Sequence, residues 1–305
     1  MRIITEEQIK NLNISPKTCV EWVREALLIK HECQLPAKVH VHPQGNDFIT
    51  TMPCLLPKSS HKFGVKVVSR VNGRKPALKS DIALYDSESG ELEAILGAEW
   101  ITAMRTGAVA ALAIRTLRKS QVPLEGGFRG VYALMGLGNI ARATMTCMLH
   151  EFENEHLNVR LLRYKDQAER FSEEFQGYKN VTFTIVDTIE EWATDADVVI
   201  SAITDAQEMI VKDISLLKPG VLVVPVHVRG FQNCDRIFDK VFGDDTEHIR
   251  GFRYFNEFRY FAELGDVLMQ KKEGRTNDTE RILSYNYGLG LHDVFFAHKI
   301  VGLLD

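Results

Sequence analysis

Residues 130–141, Gly-Val-Tyr-Ala-Leu-Met-Gly-Leu-Gly-Asn-Ile-Ala, constrain the fold more tightly than any other stretch of the chain. A short apolar run is followed by Gly-x-Gly-x-x-Ala and then by a helical pattern that begins near Ile140. Strand, glycine turn and helix N-terminus in that order present backbone N–H groups to a pyrophosphate. Gly136 permits the tight turn, Gly138 lets the backbone approach the phosphates, and Ala141 is small enough for close helix–strand packing. Asn139 and Ile140, which open the helix, complete the expected dinucleotide contacts.

The pattern on both sides supports this reading. Downstream, Val159–Leu162, Val181–Val186, Ala196–Ser201 and Val221–Val224 read as further strands, and helical patterns separate most of them. Such alternation predicts a parallel, doubly wound sheet of the Rossmann type. Ser201 and the adjacent Ala202, at the end of the fourth strand, are expected to face the cofactor. Upstream the period is different. Thr5–Gln8 and Ser15-Pro16 open two helices, and Val39, Val41, Phe48, Thr50 and Val65–Val68 follow a strand period. Ile82–Tyr85 and Glu93–Leu96 form a hairpin, and a long alanine-rich helix runs from Ala98 to Leu117. The polar connection 120–128 is the expected domain boundary. The aromatic run Phe252–Phe261 reads as a buried helix in preference to a cofactor box, and the segment from Gly288 onward as a closing helix. That helix is expected to return to the first domain. The fold class is therefore α/β, with a Rossmann-type domain (120–275) inserted into a mixed α+β domain (1–119 plus 276–305).

The end of the second strand bears on the choice of dinucleotide, because a carboxylate there binds the ribose hydroxyls of NAD. Here the position carries Arg163, with Lys165 close behind. Two cations suit a 2′-phosphate, which favours NADP(H). The alternative is that Asp166 binds the ribose and the cofactor is NAD(H).

Composition excludes several classes. With 45% hydrophobic residues, 305 residues can build two sizeable cores. A formal net charge of -4 offers no basic field for nucleic acid or an anionic membrane. Five scattered cysteines without a Cys-x-x-Cys pair argue for a reducing compartment and against zinc–cysteine sites. The first residues contain no apolar core of a signal peptide, and no run is long enough to span a membrane. The expectation is a soluble, cytoplasmic protein.

Three cations in the first domain are candidates for holding an acidic substrate. Lys66 lies within the apolar run Gly64–Val68, where a charge is costly unless it is paired or functional. The valines around it suggest burial of both strand faces, and the functional reading is preferred to that of an outward-facing strand lysine. Arg105 lies in the alanine-rich helix. Its planar fork suits a carboxylate, although an ordinary helix ion pair would also explain it. Lys38 precedes Val39-His40-Val41-His42. The two histidines share a strand face, but no third ligand follows at a metal-binding spacing, so no metal is expected. His227, just beyond the fifth strand, is a candidate proton donor at the edge where ligands bind in such sheets, or a loop histidine.

Together, Gly64–Ser69, the hairpin ending in Ser89-Gly90-Glu91 and Ile101–Ala108 closely resemble the ornithine cyclodeaminase/mu-crystallin family, as does their order ahead of the glycine turn. Glu263–Val267, Gly274-Arg275 and Gly288–Asp293 extend the resemblance to the C-terminal region. It implies a homodimer whose outer domain binds substrate and makes the dimer contact. It further implies NAD(P)-dependent chemistry on small amino or imino acids. By motif, Lys66 and Arg105 match the family's substrate-binding cations, and Lys38 stands where the family usually has arginine. One departure concerns the fifth strand. Cyclodeaminases show Gly-x-Asp beyond it, whereas this chain reads Val224-Pro225-Val226-His227-Val228-Arg229-Gly230, with Arg229 or His227 in place of the acid.

A cation at that point would repel a substrate side-chain ammonium and would favour a second carboxylate or no distal amine. The expected function is an oxidoreductase acting at the α-carbon of an amino or imino acid, as an imine or ketimine reductase or an amino-acid dehydrogenase. Lys66 and His227 are its expected catalytic residues, and Lys38, Arg105 and Arg229 bind substrate. Ornithine cyclodeamination to proline and ammonia, and cofactor binding without turnover, are the alternatives.

Overall fold

The computed structural model describes residues 1–119, 130–203, 206, 208–227, 230–231, 235–286 and 288–304. The chain forms two compact units, Met1–Arg105 with Gly288–Asp305, and Thr106–Tyr287. The connection 120–128 lies outside the described residues, as does Arg229.

The first unit opens with β1 (Arg2–Ile4), α1 (Glu6–Asn11) and α2 (Pro16–Leu28). Thr5 and Gln8 form a reciprocal capping box on α1. Ser15 caps α2 and Pro16 occupies its first turn, where the missing N–H costs nothing. Val20, Val23, Ala26 and Leu27 make the buried face of α2. Five strands follow: β2 (Val39–Val41), β3 (Phe48–Leu55), β4 (Lys62–Arg70), β5 (Leu78–Asp86) and β6 (Leu92–Gly97). The sheet order is β1-β6-β5-β4-β3-β2. β1 is parallel to β6 and the other pairs are antiparallel. β1 is too short to carry a readable period, so the sequence pattern gave no sign of it. β2 is an edge strand with Val39 and Val41 in solvent.

α3 (Glu99–Leu117) begins in the first unit and continues into the second. The second unit then alternates β7 (Val131–Met135), α4 (Asn139–Glu151), β8 (Leu157–Leu162), α5 (Gln167–Glu174), β9 (Val181–Val186), α6 (Ile189–Ala193) and β10 (Val198–Ser201). It ends with β11 (Leu222–Pro225), β12 (Lys240–Gly243), α7 (Thr246–Ile249), β13 (Phe261–Glu263), α8 (Leu264–Leu268) and β14 (Ile282–Tyr285). The eight strands are all parallel, in the order β13-β12-β14-β11-β10-β7-β8-β9. Strand order reverses between β7 and β10, the kind of switch point at whose carboxyl ends ligands bind in such sheets. Every residue of β10 and β11 is buried, as continuous apolar runs require in a sheet covered on both faces.

The sheet is thus doubly wound, but three strands longer than the five the sequence pattern indicates. The aromatic run is not a buried helix. It folds as a single 3-10 turn (Phe255–Glu257) leading into β13. Phe252, Phe255, Phe258 and Phe261 recur every third residue and pack as a row against the core around Trp192, Phe238 and Tyr285. A spacing of three suits successive tight turns better than the 3.6-residue period of an α-helix.

The last helix, α9 (Gly290–Leu303), belongs to the first unit and packs on β3, β4, β5 and α2, with Phe296 edge-on to Trp22. Glycines make the approach possible. A Cβ on Gly64 of β4 would lie 2.8 Å from Val294, and one on Gly290 would lie 3.0 Å from the Met52 carbonyl oxygen. Among the described residues no helix is long and apolar enough to cross a membrane.

Candidate active site

Lys66 lies in the middle of β4, paired with Met52 on β3 and Ile82 on β5. Strand alternation turns Gly64 and Lys66 inward, while Val67 faces solvent. Only one face of β4 is fully buried, therefore, and the lysine is on it. Its side chain is 1% exposed and its Nζ lies 2.8 Å from Oδ2 of Asp293, in the first turn of α9. It also donates to Thr102 Oγ1 at 3.4 Å, and the Thr102 hydroxyl lies 3.0 Å from that of Ser80. Arg105 donates through Nε to Asp293 Oδ1 at 3.0 Å. Lys38 donates to the Gly288 carbonyl oxygen at 3.1 Å and adds its charge to the field on Lys66.

Two cations sharing one carboxylate in a dry site perturb one another. Burial first, and then the charge of Arg105, push the Lys66 ammonium down to about 7, with Asp293 opposing. Burial alone would raise the Asp293 carboxyl, but Arg105 and Lys66 outweigh it and hold the group below the usual carboxylate range. His292, next along α9, is pushed down to about 3 by burial and Arg105, so it is neutral. Its Nδ1 accepts from the Leu289 N–H at 3.4 Å. The result is a buried cluster with an excess of positive charge beside Lys38. An incoming carboxylate is the natural counter-ion for it.

His40 is exposed on β2, and His42 is exposed just beyond its end. Nδ1 of His40 lies 2.8 Å from Thr50 Oγ1, and Nδ1 of His42 lies 3.2 Å from the Asp47 carbonyl oxygen. No three His, Cys, Asp or Glu side chains among the described residues are grouped to hold a metal.

The second unit carries the candidate dinucleotide cradle. Gly136 follows β7 with φ +77, and a Cβ there would lie 2.4 Å from the backbone of Ala202. The Ala202 N–H in turn bonds to the Met135 carbonyl oxygen at 3.0 Å, which holds the ends of the two parallel strands side by side. Gly138 is the N-cap of α4 and provides no side-chain cap, so the first turn presents its N–H groups to an external acceptor. Asn139 and Ile140 form that first turn, and Ala141 is fully buried beneath it. Gly107 of α3 closes the packing from behind, because a Cβ there would lie 2.4 Å from the Ala143 backbone. Small residues, positive φ and an uncapped helix start fit a pyrophosphate.

Two further features stand on the carboxyl edge. Ser201 Oγ, at the end of β10, is buried and lies 2.6 Å from Nε2 of His227 beyond β11. Beyond β8, Arg163 donates through Nε to Asp187 Oδ1 at 2.6 Å and also pairs with Glu169. Lys165 is exposed with φ +54, its Nζ 5.4 Å from the Tyr164 ring, and Asp166 pairs with Arg170 at 2.8 Å.

The ornithine cyclodeaminase/mu-crystallin family model matches residues 2–302. The chain belongs to this family. A nodulation efficiency protein NfeD of Rhizobium meliloti is 25% identical over 285 residues, covering 88% of this chain and 84% of that protein. A Delta(1)-pyrroline-2-carboxylate reductase of Bacillus thuringiensis is 23% identical over 253 residues, covering 77% and 75%. Among solved structures, Thermococcus litoralis Delta(1)-pyrroline-2-carboxylate reductase in complex with NADH and L-proline superposes with a TM-score of 0.84 at 23% identity. The match covers 100% of this chain and 98% of that one.

In this member of the ornithine cyclodeaminase/mu-crystallin family, sequence reasoning did not pick out Asp293, His292 or Gly288 as site residues. One signal was present: α9 is apolar on nearly all sides, so a charge at 293 had to be paired. A second buried carboxyl also went unnoticed. Asp235 is 1% exposed and accepts from the Tyr285 hydroxyl at 2.8 Å within the second unit's apolar core.

Proposed function

We propose that this protein is an NAD(P)-dependent oxidoreductase that acts at the α-carbon of a small amino or imino acid, with imine reduction as its leading activity. The observation that carries this reading is the buried Lys66–Asp293–Arg105 cluster, whose excess positive charge matches one carboxylate. Lys66 and Arg105 grip that carboxylate, Lys38 adds to the field, and the Lys66 ammonium serves as a proton source for the substrate nitrogen. An ammonium that titrates near 7 suits proton delivery at neutral pH. The nicotinamide, when bound, exchanges hydride with the α-carbon. In the second unit Gly136, Gly138, Asn139, Ile140 and Ala141 cradle the pyrophosphate, and Ser201 and Ala202 border the nicotinamide end. His227, oriented by Ser201 at the end of β10, is a candidate proton donor in this reading.

Membership of a family that includes reductases supports the reading. NADP(H) is the preferred cofactor on the strength of Arg163 and Lys165, with NAD(H) the form seen in the Thermococcus neighbour. The exposed Val39 and Val41 on edge strand β2 support a homodimer, because an uncovered apolar edge invites pairing. The free thiols of Cys19, Cys33, Cys54 and Cys147 support a reducing, cytoplasmic setting.

The test follows nicotinamide absorbance with NADPH and NADH against cyclic and linear imines of α-keto acids, with ammonia release from ornithine assayed in parallel. Net NADPH oxidation that disappears in Lys66→Met, with cofactor binding retained, supports the proposal. Proline and ammonia formed from ornithine without net cofactor change would replace it with cyclodeamination. Cofactor binding without turnover on either panel would point to a binding protein.

A further inference from the structure

A carboxylate held between the two cations that grip a substrate carboxylate is at first sight a competitor for them. Asp293 is 0% exposed, and each of its oxygens meets a different cation, Oδ2 the Lys66 ammonium at 2.8 Å and Oδ1 the Arg105 Nε at 3.0 Å. Two like charges this close in a water-poor site would repel each other and drive one side chain out or strip its proton. The groups around Lys66 make the point sharper. From α3 come Arg105 and the Thr102 hydroxyl, from the segment before β2 comes Lys38, and from α9 come neutral His292 and Asp293. Asp293 is the one anion acting on Lys66 in this set. The fold commits to it. It sits in the first turn of α9, where the helix dipole favours a negative charge, and two glycines, Gly64 and Gly290, let that turn press onto the sheet.

We propose that Asp293 is the positioning residue of the substrate site: its two oxygens set the spacing of Lys66 and Arg105, and its charge allows both to stay cationic side by side. The inference rests on the reading in which Lys66 and Arg105 hold the substrate carboxylate. Asp293 makes no contact with substrate in this account and acts only through the two cations. Removing its charge while keeping its shape leaves burial and Arg105 unopposed on Lys66, so the ammonium is lost at a lower pH. The spacing of the carboxylate grip loosens at the same time.

The test compares wild type, Asp293→Asn and Asp293→Glu as full-length proteins. It measures kcat and KM for imine reduction from pH 5.5 to 9.5, and NADPH affinity by fluorescence. In Asp293→Asn the alkaline limb of kcat/KM is expected to move down by about one pH unit or more, and KM to rise about tenfold or more. NADPH affinity should stay within about twofold, since the second unit is untouched. Asp293→Glu should restore the wild-type midpoint while KM stays raised about fivefold, because it keeps the charge and alters the spacing. A limb and KM unchanged in Asp293→Asn, with Lys66→Met inactive, would overturn the positioning role alone. Turnover surviving in Lys66→Met would overturn the underlying site. Should Asp293→Asn not fold, Asp293→Glu decides: a wild-type KM sinks the inference, and a raised KM at an unmoved midpoint supports it.

Discussion

The guanidinium of Arg105 fills the space in which a side chain at residue 288 would begin: a Cβ on Gly288 would lie 1.2 Å from Arg105 Nη1. Gly288 also has φ +69, so alanine there is strained by its backbone as well as by the contact. The left-handed conformation costs an L-residue about 1 kcal/mol, while displacement of Arg105 removes one side of the carboxylate grip. Gly288→Ala is therefore expected to raise the substrate KM about tenfold or more while leaving dinucleotide affinity unchanged. Steady-state kinetics and a cofactor titration on the same preparation check it. A wild-type KM would mean that Arg105 does not touch substrate.

Gly136 and Gly138 make a contrasting pair. An alanine at 136 meets the Ala202 backbone at 2.4 Å and a positive φ, so it disrupts the fold of the turn. At 138 the nearest neighbour is 3.9 Å away and φ is -92, so the protein itself tolerates a methyl group. Gly138→Ala should then keep stability within about 1 kcal/mol of wild type yet weaken NADPH binding at least about tenfold, because only the ligand occupies that space. Melting curves with and without NADPH separate the two effects. Equal affinity in Gly138→Ala would argue against the phosphates lying at this turn.

What the sequence revealed follows the range over which each signal acts. The strand, turn and helix at 131–141 are adjacent in the chain, and Lys66 announces itself by being a charge in an apolar run. The ion pair that gives Lys66 and Arg105 their shared partner was hidden, since Asp293 lies 188 residues from Arg105 along the chain. β14 was missed for a similar reason: it comes last of the parallel strands in sequence yet lies between β11 and β12. Four-residue strands offer little periodicity of their own. In the aromatic run, the three-residue spacing of the phenylalanines was legible, but the core they pack against was not.

Arg163 bears on the cofactor preference through its present partners. It is held by Asp187 and Glu169, so a 2′-phosphate must displace carboxylates to reach it. Both pairs are half-exposed and therefore weak, worth at most about 1 kcal/mol each, against a charge-assisted bond to a dianionic phosphate. Arg163→Ala should weaken NADPH binding about tenfold and leave NADH binding within about twofold. Asp187→Asn should strengthen NADPH binding by releasing the arginine. Fluorescence titrations of both cofactors check this, and a wild-type preference in Arg163→Ala would shift attention to Asp166.

Asp235 yields a prediction about stability. Burial pushes its carboxyl from an ordinary value of 3.8 up to about 7, with the Tyr285 hydroxyl opposing. The native state therefore keeps a proton that the unfolded chain releases, and the stability this contributes is fully present below about 3.8 and lost as pH rises through about 7. Asparagine preserves the shape and the acceptor for Tyr285 but cannot ionise. Asp235→Asn should accordingly gain on wild type by roughly 2–3 kcal/mol between pH 5 and pH 8. Urea unfolding at the two pH values measures the difference. Parallel stability profiles would show that Asp235 is ionised in the folded protein at pH 5 and that water or a cation reaches it.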